Sequence, residues 1–339
     1  MAMKVRFAQI EPTTRCNYTC GFCVGRHMPQ QDLSLDTFRL FIAQTEGLEA
    51  IELQGEGEPL LHPDFFTMIR IAREKFPDVE ISMISNGSMF THEIVEQILD
   101  HRIARIYISM ESAKDEDFQR IRGGKLDRVR RGIRLLLERR RERGMAHPLL
   151  GLSVTILRST VLELRKQIPA FYDEMHLDGG INLQMLQSMP QYRNIYNDDM
   201  TNEIGDAETR EIIDYSTATC EPLQQALITR QQQAATGFYE QLMNSTDIQR
   251  ECPWLANGLY MATSGQLMPC CHTKDYQADA LGNINQNPAD ATRRRQEMQQ
   301  QLGQGQIPSP CQGCNIAEAI ASHAAKEPAA TTVRTDHAR

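Results

Sequence analysis

The chain has 339 residues, 41% of them hydrophobic and 24% charged, with a formal net charge of −8. That length can bury a full core and fits one large domain with an appendage, and the composition is that of a globular protein. The acidic balance argues against a nucleic-acid partner, and no apolar run approaches the roughly 18 residues of a membrane span. Residues 1–12 read as a strand rather than a signal peptide, so the expected compartment is the cytoplasm.

Short β-branched runs alternate with amphipathic segments through the first half. Residues 5–10, 50–53, 80–84, 105–110, 150–156 and 181–186 predict strands. Residues 34–46, 64–75, 91–99, 116–143 and 160–175 predict helices, with Ser34 and Thr91 as N-caps. The basic stretch 128–143 falls on the solvated side of its helix, because Leu126, Val129, Ile133, Leu136 and Leu137 recur at helical spacing. Six β/α repeats require a parallel sheet with right-handed crossovers, either doubly wound or a barrel. In both, chemistry collects at the C-terminal ends of the strands.

Beyond the core at 1–186, the strand pattern fades. Residues 187–250 predict a closing helix and bridge, with helical sequence at 207–215 and 223–242. Residues 251–316 form a cysteine-rich module with a solvated Gln-rich helix around 296–306. Residues 317–339 are expected to fray or be disordered.

Nine cysteines in a reducing compartment point to metal ligands or buried thiols rather than disulfides. Cys16, Cys20 and Cys23 give the spacing C-x3-C-x2-C just after the first predicted strand. Three thiolates on one loop can ligate three irons of a cubane and leave the fourth open, as a reactive centre requires. Zinc, with His27 as a fourth ligand, is the alternative, although C-x2-C pairs are its usual spacing. Further motifs follow the later strands: Gly55-Glu56-Gly57-Glu58-Pro59, Ser85-Asn86-Gly87, and Ser109-Met110-Glu111-Ser112 followed by Arg122-Gly123-Gly124. Each alone reads as a turn.

In this order the segments resemble the radical S-adenosylmethionine (SAM) superfamily. The resemblance implies an α/β fold, a partial (β/α)6 TIM-like barrel, with a [4Fe–4S] cluster on Cys16, Cys20 and Cys23 beside the aromatic Phe22. By the same match, Gly57 and Glu58 receive the SAM ammonium group, and Ser85 and Asn86 lie beside its ribose. Ser109 and Arg122 contact its carboxylate, a task suited to a guanidinium fork. Glu111 and Ser112 stand where the family more often has Asp and Gly.

The second cysteine set, Cys252, Cys270-Cys271 and Cys311-Gln312-Gly313-Cys314, resembles the C-terminal SPASM or shorter twitch module. Such modules bind auxiliary clusters. One closed auxiliary [4Fe–4S] cluster on Cys252, Cys270, Cys311 and Cys314 is the economical assignment, since a two-cluster module needs more cysteines than the five present here. Cys271 reads as packing or an alternative ligand, and Cys220 as a buried thiol. A zinc ribbon is the alternative for this module.

The resemblance implies reductive SAM cleavage, fed by an electron donor such as a flavodoxin or ferredoxin, then hydrogen abstraction from substrate. A closed second cluster points to one-electron oxidation of a small polar molecule. Arg158 and Gln184, near the ends of the fifth and sixth strands, are the candidate catalytic residues. Tyr192 and Tyr196 are candidates for the cavity mouth, His27 and His272 for hydrogen-bonding neighbours of the clusters, and the sixteen methionines for gap filling. A peptide maturase forming a thioether or carbon–carbon link is the second reading, and the fifteen residues ahead of Cys16 weigh against it. A non-catalytic iron–sulfur or zinc scaffold is the third.

Overall fold

The structure, a computed structural model, describes residues 2–186, 198–204, 238, 241 and 246–326. The six expected strands form within two residues of their predicted ends: β1 (Phe7–Ile10), β2 (Ala50–Leu53), β3 (Glu80–Ser85), β4 (Arg105–Ser109), β5 (Leu149–Ile156) and β6 (Ile181–Met185). They pair in parallel in simple chain order. A doubly wound sheet reverses its order at a switch point. The unbroken progression is that of a barrel wall, and the sheet is an open, partial one.

The crossovers are α1 (Leu35–Gln44), α2 (Phe65–Lys75), α3 (His92–Asp100), α4 (Asp115–Arg122), α5 (Leu126–Glu142) and α6 (Val161–Glu174). Both expected N-caps are made: Ser34 Oγ accepts from Thr37 N at 3.1 Å and Thr91 Oγ1 from Ile94 N at 3.3 Å. The expected helix over 116–143 is instead two, because Gly123 closes α4 in the left-handed region at φ +70°. A side chain there would meet Thr19 Oγ1 at 2.1 Å, so the break presses the end of α4 onto the first cysteine loop. The arginines of α5 meet acidic neighbours, Arg130 with Glu174 and Arg139 with Glu96, while Val129, Ile133 and Leu136 face the core.

The C-terminal segment continues the same sheet. After α7 (Asp198–Ile204) come α8 (Pro253–Asn257), β7 (Gly258–Met261), β8 (Gln266–Met268) and β9 (Gly282–Asn283). Strand β7 runs parallel to β1, Phe7 opposite Gly258 and Ile10 opposite Met261, and β8 and β9 follow antiparallel. The C-terminal ends of β1 and β7 therefore lie side by side, which brings the second cysteine loop to the end of the sheet that carries the first.

Two helices differ from expectation. The Gln-rich helix begins earlier, as α9 (Pro288–Gly303), and is not merely solvated: it buries Ala291, Met298 and Leu302. Its Arg295 donates to Leu255 O at 2.6 Å and Ala256 O at 2.8 Å. The expected disordered tail is helical up to Lys326 in α10 (Asn315–Lys326), which packs on α9 with Ala317, Ile320 and Ala321 buried. Alanine combines high helix propensity with small size, so composition alone did not separate a frayed tail from a docked helix. Residues 327–339, Tyr192, Tyr196, Cys220, 207–215 and most of 223–242 lie outside the described residues. Among the described residues no helix is long and apolar enough to cross a membrane.

Candidate active site

A cavity of about 290 Å³ opens at the C-terminal ends of the strands. Cys16, Cys20, Phe22, Cys23, Gly57, Glu58, Ser85, Asn86, Ser109, Arg122 and Gln184 all line it. Segments up to 168 residues apart in sequence thus share one space. Arg158 is not among its lining; it is exposed at the start of α6, with its backbone N–H on Glu203 O at 3.2 Å.

The cysteine loop carries donors aimed at sulfur. Tyr18 N reaches Cys16 Sγ at 3.4 Å, Asn86 Nδ2 reaches the same sulfur at 3.8 Å, and Arg122 Nη1 reaches Cys20 Sγ at 3.9 Å. As free thiols these groups resist ionisation: burial pushes Cys20 up to about 11, and burial followed by the nearby Glu56 pushes Cys23 higher still. A metal centre reverses that preference, because it binds the thiolate. Three cysteines lining one cavity, with amide and guanidinium donors aimed at the sulfurs of Cys16 and Cys20, are residues that would hold a cluster as thiolates. His27, the fourth ligand of a zinc reading, is exposed and does not line the cavity.

Gly57 is glycine for the protein's own packing. A Cβ there would stand 2.3 Å from Thr13 O and 2.6 Å from Arg15 O, so the 55–59 loop lies directly on the cysteine loop. Glu58 N–H donates to Arg15 O at 2.9 Å, adding to the contact. The Glu58 carboxylate is buried and accepts from Ser85 Oγ at 2.9 Å, Asn86 N at 2.7 Å and Leu60 N at 3.3 Å; burial pushes its pKa up to about 7. Its bonds knot the ends of β2 and β3 together at the cavity wall, which the half-buried Gly55, Glu56 and Gly57 also line.

Arg122 is likewise engaged. Its Nε and Nη2 bind Glu111 at 2.5 and 2.6 Å, both partners being buried. Glu111, where the family more often has Asp, is long enough to complete that fork. Ser112 turns to Gln167 Oε1 at 2.9 Å, away from the cavity residues.

Several cavity residues were not singled out in the sequence. Gln54, Ser153 and Thr155 add uncharged polar groups to the wall formed by Ser109 and Gln184; period-two alternation along the strands could have indicated them. Glu56 and Lys274 form an ion pair of 2.5 Å at the cavity edge. Burial works against the Glu56 carboxylate, but Lys274 outweighs it and holds the group below its ordinary pKa. No sequence signal pairs residues so far apart. His272 lines the cavity, and burial lowers its pKa to about 4, leaving a neutral ring.

In the second set, Cys252, Cys270, Cys311 and Cys314 influence one another. Burial raises the Cys252, Cys270 and Cys311 thiols first, and then neighbours do: Cys314 acts on Cys252, Cys271 and then Cys252 act on Cys270, and Cys252 acts on Cys311, which is pushed up to about 12. Cys271 packs beside Cys252 and Cys270 on the cluster of Phe7, Trp254, Tyr260 and Met268, and does not line the cavity; the charged groups that act on it are Lys274, Glu52 and Glu56.

Residues 10–156 match the family model of the Radical SAM superfamily. The chain is 28% identical over 171 residues to a tungsten-containing aldehyde ferredoxin oxidoreductase cofactor-modifying protein of Pyrococcus furiosus, covering 49% of this chain and 46% of that one. It is 29% identical over 142 residues to a GTP 3′,8-cyclase of Sulfurovum sp., covering 40% and 43%. An AdoMet-dependent heme synthase of Methanosarcina barkeri is 30% identical over 132 residues, 37% of each chain. The chain spans less than half the length of these relatives. Its fold is similar to that of anSMEcpe with bound AdoMet and Cp18Cys peptide, at TM-score 0.62 and 14% identity, covering 93% of this chain and 88% of that one. It is also similar to Streptococcus suis SuiB bound to S-adenosylmethionine, at TM-score 0.58 and 13% identity, covering 93% and 72%. Joined to the cysteine triad and the ordered motifs around one cavity, these likenesses identify residues 10–156 as a radical SAM superfamily domain, whose cofactors are a [4Fe–4S] cluster and SAM.

Proposed function

We propose that this radical SAM enzyme oxidises a polar substrate: after loss of a hydrogen atom the substrate would give up one proton to solvent and one electron, which an auxiliary [4Fe–4S] cluster held by Cys252, Cys270, Cys311 and Cys314 would accept. What supports this reading is that Cys252, Cys311 and Cys314 pack on the main core cluster, and Cys252 and Cys270 on the adjoining one, in the segment that β7 joins to the sheet. Four protein thiolates close a cubane, which then suits electron transfer rather than substrate binding.

When bound, the first cluster and SAM supply a 5′-deoxyadenosyl radical that takes a hydrogen atom from the substrate. Cys16, Cys20 and Cys23 hold that cluster, and the Arg122 guanidinium beside Cys20 balances part of its negative charge. Ser109 and the 55–58 loop hold SAM at the cavity wall. Gln54, Ser153, Thr155 and Gln184 present amides and hydroxyls that hydrogen-bond the substrate and place one C–H bond within reach. Phe22, Val24 and Ile84 keep that side of the space apolar and dry.

A peptide-borne substrate is the second reading, favoured by the fold shared with anSMEcpe, which is seen with a bound peptide. Amides and hydroxyls along the wall suit peptide groups as well as small alcohols.

Anaerobic reconstitution with SAM and dithionite tests both levels. Wild type is expected to hold about eight irons per chain and form 5′-deoxyadenosine, whereas Cys311→Ala retains about four irons and still cleaves SAM. Equal 5′-deoxyadenosine from wild type and Cys16→Ala would overturn the cluster assignment, and zinc with about four irons in wild type would overturn the auxiliary one. Deuterium carried from labelled alcohols or peptides into 5′-deoxyadenosine then identifies the substrate class.

A further inference from the structure

The loop following β2 is tied to the C-terminal module from two sides. Glu56 Oε1 meets Lys274 Nζ, which follows β8, at 2.5 Å across 218 residues of sequence. The backbone N–H of Glu56 donates to Glu11 Oε1 at 2.8 Å, and Glu11 Oε2 accepts from Thr263 N, between β7 and β8, at 3.3 Å. Glu56 also passes the tie onward: its Oε2 accepts from Gly25 N at 3.3 Å and stands 3.6 Å from Cys23 Sγ. The pair is mostly shielded, the side chains being 22% and 14% exposed, so water replaces little of what either partner would lose.

We propose that Lys274 is a positioning residue for the first site: through Glu56 it holds the 55–58 loop against the Cys23 end of the cysteine loop. The C-terminal module thereby builds part of the SAM-binding end of the barrel as well as holding its own cysteines. The physical ground is the asymmetry of shielded ion pairs, in which loss of one partner is far more disruptive than the net worth of the pair. Without the ammonium, the Glu56 carboxylate is left beside Cys23, where three cluster thiolates add further negative charge. The loop must then turn Glu56 toward water and release Gly25. The inference rests on the family assignment alone. Normal SAM affinity with no substrate oxidation would count against the proposed reaction and leave this role standing.

The test uses the full chain, reconstituted anaerobically. SAM affinity is measured by equilibrium dialysis, and the change in the electron paramagnetic resonance of the reduced cluster is followed as SAM is added. Lys274→Met is expected to weaken SAM binding about tenfold and blunt the spectral change, with iron content unaltered. Lys274→Arg keeps the charge and is expected to stay within about twofold of wild type. Should Lys274→Met fail to load iron, Glu56→Gln takes its place, with an expected loss of about fivefold. Wild-type affinity and spectra in the variant that loads iron, or equal impairment by Met and Arg, would overturn the proposal.

Discussion

Arg122 and Glu111 form a two-pronged ion pair, 2.5 and 2.6 Å, in which the guanidinium is left with Nη1 facing Cys20 Sγ at 3.9 Å. Burial opposes the charge on Arg122, and Glu111 outweighs it, so the cation is retained beside the cluster loop. Arg122 O also accepts from Thr19 N at 3.0 Å. One residue therefore fixes the cysteine loop by its backbone and its electrostatics by its side chain.

Glu111→Gln is expected to destabilise the chain by about 3 kcal/mol, because it leaves a buried guanidinium without its counter-charge. Replacing both residues, Arg122→Met with Glu111→Leu, is expected to cost less in stability yet to impair loading of the first cluster. Denaturant unfolding of the apo chain together with iron analysis checks the pair; equal destabilisation by the single and double variants would refute it.

Gly57→Ala is expected to uncouple the two clusters. The added methyl group meets the carbonyl oxygens of Thr13 and Arg15, which belong to backbone and cannot swing aside. Iron is expected to fall from about eight to about four per chain, with the auxiliary set retained. Full iron and wild-type SAM cleavage would show that the loop adapts.

Cys270→Ser and Cys271→Ser should part company, because Cys252 and Cys311 act on Cys270, whereas the charged groups that act on Cys271 are Lys274, Glu52 and Glu56. The first is expected to remove the auxiliary iron and the second to leave it in place. Equal iron loss in both would reassign the fourth ligand.

Glu11 supplies a pH test. It is fully buried, and burial pushes its pKa from 4.5 up to about 7, against the bonds it accepts from Glu56 N and Thr263 N. A carboxyl with a raised folded-state pKa holds its proton longer in the folded chain than in the unfolded one. Its contribution to stability is thus present below pH 4.5 and is lost as pH rises to about 7. Glu11→Gln does not titrate, so the variant is expected to gain on wild type by about 3 kcal/mol between pH 4.5 and 8. Thermal midpoints of the apo chain across that range measure the crossing, and parallel curves would show that Glu11 stays ionised throughout.

Much of the architecture was legible because it depends on short-range pattern. Alternating runs placed six strands, Ser34 and Thr91 announced their helices, and the C-x3-C-x2-C spacing located the cysteine loop immediately after β1. The glycine-rich motifs after β2, β3 and β4 could be recognised as one set since parallel strands deliver their C-terminal ends to one place.

What the residues do there was decided by tertiary structure. Glu58 and Arg122 line the cavity as expected, but their bonds to Ser85, Asn86 and Glu111 are at distances that no spacing rule supplies. The break at Gly123 sets the end of α4 against Thr19, where no side chain fits, and the helix at 315–326 docks on α9; neither contact is visible in local sequence. The Glu56–Lys274 pair depends on β7 adding to the β1 edge, a pairing between opposite ends of the chain. Local sequence determined which elements form and which donors each loop offers. Partnership among those donors was settled only where distant segments share a space from which water is excluded, since there a charge must find a protein counterpart.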